Sequence, residues 1–99
     1  MKLDLSPGQR EEVLQLLEQA LGPAVEVFAF GSKVQGNARP FSDLDLMLKS
    51  AKPISYAQLA EAEELLSESD LPFTVDLLDE ARISHEFQQR IKPDLMKLK

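Results

Sequence analysis

The residues of this chain whose types could act together chemically lie in three short stretches: Gly31-Ser32, Asp43-Leu44-Asp45, and Asp76. Asp43-Leu44-Asp45-Leu46-Met47-Leu48 has a period of two. On a strand, that period puts Asp43 and Asp45 on one face and Leu44, Leu46 and Leu48 on the other. The two carboxylates then stand roughly 6–7 Å apart along the strand, close enough for one divalent cation to sit between them. Phe73, Val75 and Leu77 repeat the arrangement and leave Thr74 and Asp76 on the opposite face. If the two strands are neighbours, Asp76 lies about 5 Å across from the pair. Three carboxylates in so small a volume repel one another, and cations relieve that cost. Gly31-Ser32 follows an apolar run and opens a turn, so its backbone N–H groups and hydroxyl can dock an anion, with glycine allowing close approach. A metal on one side and a phosphate cradle on the other would equip in-line transfer at phosphorus with one or two Mg²⁺ ions, ~3.5–4 Å apart when both are present.

Taken singly, each feature has an ordinary reading. Asp-x-Asp is most often a solvated strand end, Gly-Ser most often a turn, and an isolated aspartate most often a surface residue. Their joint occurrence at successive strand ends is what makes them specific. Lys33 and Arg39 could contact phosphates, although basic residues in exposed turns are usually only solvated. His85 is the single histidine and stands at a helix start, where the surface reading is the better one. Asp79 falls on the wrong face of its strand by the period-two count and is assigned to a loop. Glu61, Glu63, Glu64 and Glu68 form the solvated side of a helix.

The elements that must position these groups can be read from the flanking text. Ser6 can cap a helix with Pro7 at its first position and Gln9 closing a capping box; Val13, Leu16, Leu17, Ala20 and Leu21 form its buried stripe, and Gly22-Pro23 ends it. Val25 to Phe30 is β-branched and aromatic, a strand that stops at Gly31. Residues 31–40 are a Gly-, Asn- and Pro-containing turn, and Leu44 to Lys49 is the second strand. Ser55 and Gln58 make a second capping box, with Ile54 and Leu59 spaced as a hydrophobic staple. Leu59, Ala62, Leu65 and Leu66 are the apolar stripe of that helix. Phe73 to Leu78 is a third strand, Asp79 to Arg82 a turn, and Ser84 caps a last helix running to about Lys92. The expected fold is α+β: one domain over residues 1–99, with a small mixed sheet of three or more strands and helices packed on one face.

Bulk properties narrow the chemistry. Seventeen carboxylates stand against eleven Lys and Arg, a net charge of −6, which disfavours direct nucleic-acid binding. A nucleotide is another matter, because magnesium bridges carboxylates to phosphates. There is no cysteine, so disulfides and thiolate metal sites are excluded. No apolar run suggests a signal peptide or membrane span, and a cytoplasmic location is expected. A chain of this length has a thin core, so support from a partner or a second copy is also expected.

Gly31-Ser32 followed by Ser42-Asp43-Leu44-Asp45-Leu46, with Ala29-Phe30 before and Gly36-Asn37-Ala38-Arg39-Pro40 between, closely resembles the signature of nucleotidyltransferases with the DNA polymerase β palm fold. Val75-Asp76-Leu77-Leu78 matches that family's third carboxylate. The resemblance runs from about Val25 to Ile91, and the short chain looks like a minimal nucleotidyltransferase (MNT). It implies that Asp43, Asp45 and Asp76 are catalytic and ligate Mg²⁺, that Gly31 and Ser32 bind the triphosphate of ATP, and that Lys33 and Arg39 assist. It further implies an antitoxin role: transfer of AMP from ATP to a tyrosine of a small helical HEPN-type toxin. The alternatives are transfer to a small molecule such as an antibiotic, or to RNA, with a separate substrate-binding subunit, or a module that neutralises its partner by contact alone. Two departures stand out. Lys33 replaces the arginine of many relatives and loses its bidentate fork. The segment after Lys92 lacks the Gly and Tyr usual near the end of such domains.

Overall fold

A computed structural model describes residues 5–31 and 43–99. Helix α1 (Pro7–Leu21) begins with the expected capping box: the Gln9 N–H donates to Ser6 Oγ, and the Ser6 N–H donates to Gln9 Oε1, both at 3.1 Å. Gly22 ends it with φ +87°, its N–H donating to the Glu18 carbonyl. Strand β1 (Glu26–Phe30) and strand β2 (Leu44–Lys49) follow, then helix α2 (Tyr56–Ser67) with its own capping box on Ser55 and Gln58. Strand β3 (Val75–Asp79), a short 3₁₀ turn, helix α3 (His85–Ile91) capped by Ser84, and strand β4 (Met96–Lys97) complete the order.

The sheet runs β3-β2-β1-β4. β1 is antiparallel to both β2 and β4, while β2 and β3 are parallel, joined by the α2 crossover. The sheet is therefore mixed, as expected. Its strands are apolar on both sides. On one side Leu44, Leu46 and Leu48, all fully buried, join Val27 and Ala29 against Val13 and Leu17 of α1 and Ala62 and Leu66 of α2. On the other side Phe28, Phe30, Met47 and Leu78 form a smaller cluster with Phe87 and Ile91 of α3. Phe30 and Phe87 meet edge-to-face with ring centroids 6.4 Å apart. The one-faced expectation thus holds for the two long helices, and α3 is an addition on the opposite face. A period-two reading of β2 picks out its leucines and passes over Met47, which serves the second face.

Asp79 corrects the sequence reading. It is the last residue of β3, not a loop residue, and is only 5% exposed. Its carboxylate accepts hydrogen bonds from Ile54 N–H (3.0 Å), Ala81 N–H (3.1 Å) and Arg82 (3.2 Å). Arg82 in turn lies 4.1 Å above the Tyr56 ring. A buried carboxylate is tolerable when it is fully hydrogen-bonded in this way. Asp79→Ala leaves two backbone donors and a guanidinium without their acceptor, so we expect a loss of about 2–4 kcal/mol in denaturant unfolding.

β4 was not among the expected strands. It closes the free edge of β1, pairing Phe28 with Lys97 and Ala29 with Met96, and Leu98 beyond it is buried. Arg10 of α1 reaches the Leu98 carbonyl at 3.0 Å. The Met96–Lys99 stretch alternates, but it is too short for periodicity to distinguish it from a tail.

Candidate active site

Because β2 and β3 are parallel and in register, Asp45 lies abreast of Asp76. In the antiparallel pair Asp45 faces Phe30, the last residue of β1, and Gly31 follows at once. The site therefore forms where β1 ends and β2 and β3 begin, on the face shared with Met47 and Leu78. α3 covers the remainder of that face through Phe87 and Ile91.

Gly31 has φ +84°, a conformation that L side chains rarely adopt. A Cβ placed on it would stand 2.6 Å from Asp45 Oδ2. The Asp45 carboxylate is thus packed against the backbone of the turn, and only a residue without a side chain leaves room for it. Asp45 is half-buried, whereas Asp43, just before β2, and Asp76 are exposed. Burial first, then the charges of Asp76 and Asp43, raise the pKa of Asp45 above its ordinary value. The register that sets Asp76 abreast of Asp45, and the two-residue step back to Asp43, account for those charges.

Of the predicted residues, Gly31, Asp45 and Asp76 come together, with Asp43 beside them. Ser32, Lys33 and Arg39 lie outside the described residues. Among the described residues no three acidic or histidine side chains close on a common point at metal-ligand spacing. The donor set nonetheless fits a hard cation: carboxylate oxygens suit Mg²⁺, two of the three carriers are exposed, and the third bears the like-charge repulsion that a cation relieves. His85 is exposed at the first turn of α3, as a surface residue. No helix among the described residues is long and apolar enough to cross a membrane.

The perturbed carboxyl has a consequence for stability. A carboxyl whose pKa is higher in the folded than in the unfolded chain binds its proton more tightly when folded. Its penalty is absent below the unfolded value, grows as pH rises from that value to the folded one, and is constant above it. Without divalent metal, Asp45→Asn is therefore expected to raise Tm at pH 7, with the gain vanishing below the ordinary carboxylate value of 3.8. Adding Mg²⁺ should raise the wild-type Tm more than that of the variant. Thermal unfolding at several pH values, with and without MgCl₂, checks both.

The family model described as "Polymerase beta, Nucleotidyltransferase" matches residues 11–95. The chain belongs to this nucleotidyltransferase family. It is 42% identical over 91 residues to a Haemophilus influenzae protein named "Probable protein adenylyltransferase MntA", covering 92% of this chain and 79% of the relative. Among solved structures it is similar to a chain in the crystal structure of a toxin–antitoxin with AMP-PNP, with TM-score 0.77, 25% identity, and 91% of this chain and 72% of that chain covered. A chain in the complex of tri-AMPylated Shewanella oneidensis HEPN toxin with MNT antitoxin has TM-score 0.68 and 22% identity, covering 91% of this chain and 68% of the other, a likeness of fold. As a nucleotidyltransferase, the chain has its three candidate carboxylates around one sheet end.

Proposed function

We propose that this chain is a Mg²⁺-dependent protein adenylyltransferase that works in the cytoplasm as an antitoxin, transferring AMP from ATP to a tyrosine hydroxyl of a small helical HEPN-type partner. The observation that carries the reading is the placement of Asp45 abreast of Asp76 and against the Gly31 backbone. The name of the Haemophilus relative supports the reaction class, and the AMP-PNP bound in the toxin–antitoxin structure supports a nucleotide substrate.

In this mechanism Asp43 and Asp45 would hold Mg²⁺, with Asp76 completing the donor set. The metal, when bound, neutralises charge on the triphosphate and polarises its phosphorus. Gly31 and Ser32 would seat the triphosphate through backbone N–H groups of the turn, the absent side chain of Gly31 leaving the Asp45 carboxylate its place beside it. Lys33 and Arg39 would add charge toward the leaving pyrophosphate. Asp76, exposed at the start of β3, would receive or steer the proton of the tyrosine hydroxyl as its oxygen attacks the α-phosphorus. One P–O bond forms to the tyrosine, the bond to pyrophosphate breaks, and the proton leaves the hydroxyl.

The test incubates the purified chain with labelled ATP, MgCl₂ and its co-expressed HEPN-type partner. Intact mass should show the partner gaining one or more adenylyl groups, with the labelled residue a tyrosine. Label on an antibiotic or on RNA, with none on protein, would reassign the acceptor. Rescue of growth by a chain lacking Asp45 would leave a contact-only antitoxin.

A further inference from the structure

The outer side of β3 bears on how an acceptor reaches the acid cluster. β3 is an edge of the sheet and has a strand neighbour on one side only among the described residues. In a parallel pair, alternate residues turn both backbone groups toward the neighbour. The Leu44 N–H donates to the Thr74 carbonyl at 2.8 Å, which places Thr74, Asp76 and Leu78 on the paired side. Val75 and Leu77 therefore direct their N–H and C=O groups outward. Beside this edge, between β3 and the last turns of α2, runs a groove of about 830 Å³. Among the described residues its lining includes two carboxylates, Glu63 and Asp76, with no lysine or arginine, and apolar surface from Leu71 and Val75.

We propose that this groove docks the acceptor segment of the partner protein as an added β-strand on β3, and that the segment carries Lys or Arg beside its acceptor residue; the proposal rests on the adenylyltransferase reading above. Main-chain bonds to Val75 and Leu77 give the guest strand its register, as in other strand-addition complexes. A guest side chain on the acid face, abreast of Asp76, starts about 5 Å from it. The same carboxylate thus lines the docking groove and the site of chemistry, and docking delivers the hydroxyl. Glu63 and the net charge of −6 favour a basic segment and repel an acidic one.

The probes are two synthetic peptides, each with a single tyrosine, one flanked by Lys and Arg and the other by Glu. They are added to the whole chain with ATP and Mg²⁺, up to about 1 mM, roughly ten times a Kd of about 0.1 mM. Amide hydrogen exchange at Val75 and Leu77 should slow at least tenfold with the basic peptide and not with the acidic one. The paired substitution Glu63→Lys with Thr74→Lys, both at exposed positions, should abolish that slowing while Mg²⁺-dependent ATP binding, read by isothermal titration calorimetry, persists. Leu77→Pro removes an outward donor and should weaken binding; because Leu77 also packs on the core, the lysine pair keeps the test independent of folding. The proposal is overturned if Val75 and Leu77 exchange as in the free chain, or if both peptides protect them equally. AMP on the peptide tyrosine is read separately by mass. Protection without AMP retains the docking groove and removes the transferase reading; AMP without protection does the reverse.

Discussion

Asp45→Ala should reduce AMP transfer by at least about a thousandfold, equivalent to roughly 4 kcal/mol of transition-state stabilisation, while leaving the fold intact. Asp45 is the one carboxylate of the three that touches the turn, lies abreast of Asp76, and has its pKa raised by burial and by both neighbours. In the proposed mechanism, removing it takes away an ionic ligand and its fixed position together. Its like-charge repulsion disappears as well, so unfolding without metal should move upward or stay level. Asp45→Glu should fail to restore activity, since the longer side chain cannot occupy the same space against Gly31. The measurements are incorporation of labelled AMP and thermal unfolding on the same preparations. A rate within tenfold of wild type would exclude Asp45 from the reaction.

Gly31→Ala is expected to cost about 1–2 kcal/mol of stability for a non-glycine residue at positive φ, and transfer should fall by about a hundredfold. The rate loss has a separate origin. The new methyl would meet Asp45 Oδ2 at 2.6 Å, so the carboxylate must move, and a displacement of about 1 Å in a reacting constellation costs on the order of 10² in rate. The two contributions separate in a double-mutant cycle. With Asp45→Ala already present, the collision is gone and the backbone cost alone should remain in the unfolding free energy. Equal stability losses in both backgrounds would show that the contact carries no strain.

Much of this site was legible in the sequence because strand alternation is a strong constraint. The period of two in Asp43 to Leu48 fixes which side chains share a face, and the leucines are fully buried as that count requires. The two capping boxes mark helix starts that the structure reproduces at Ser6 and Ser55. Asp79 was misplaced because alternation describes direction, not partners. One of its donors, the Ile54 N–H, lies 25 residues away, and nothing local announces that contact. β4 and the placement of α3 on the second face were missed for a related reason. Each depends on where the chain returns in space, and Met96–Lys97 contributes a strand only because β1 had an edge to receive it.

The Asp79 contacts have a mechanical implication. One carboxylate holds the backbone just before α2 and just after β3, the two ends of the region that crosses from β2 to β3 and back to the sheet. A clasp of that kind makes the intervening stretch fray as a single cooperative unit instead of piecemeal. Local opening that released Asp79 would loosen α2 and, with it, the strand that carries Asp76.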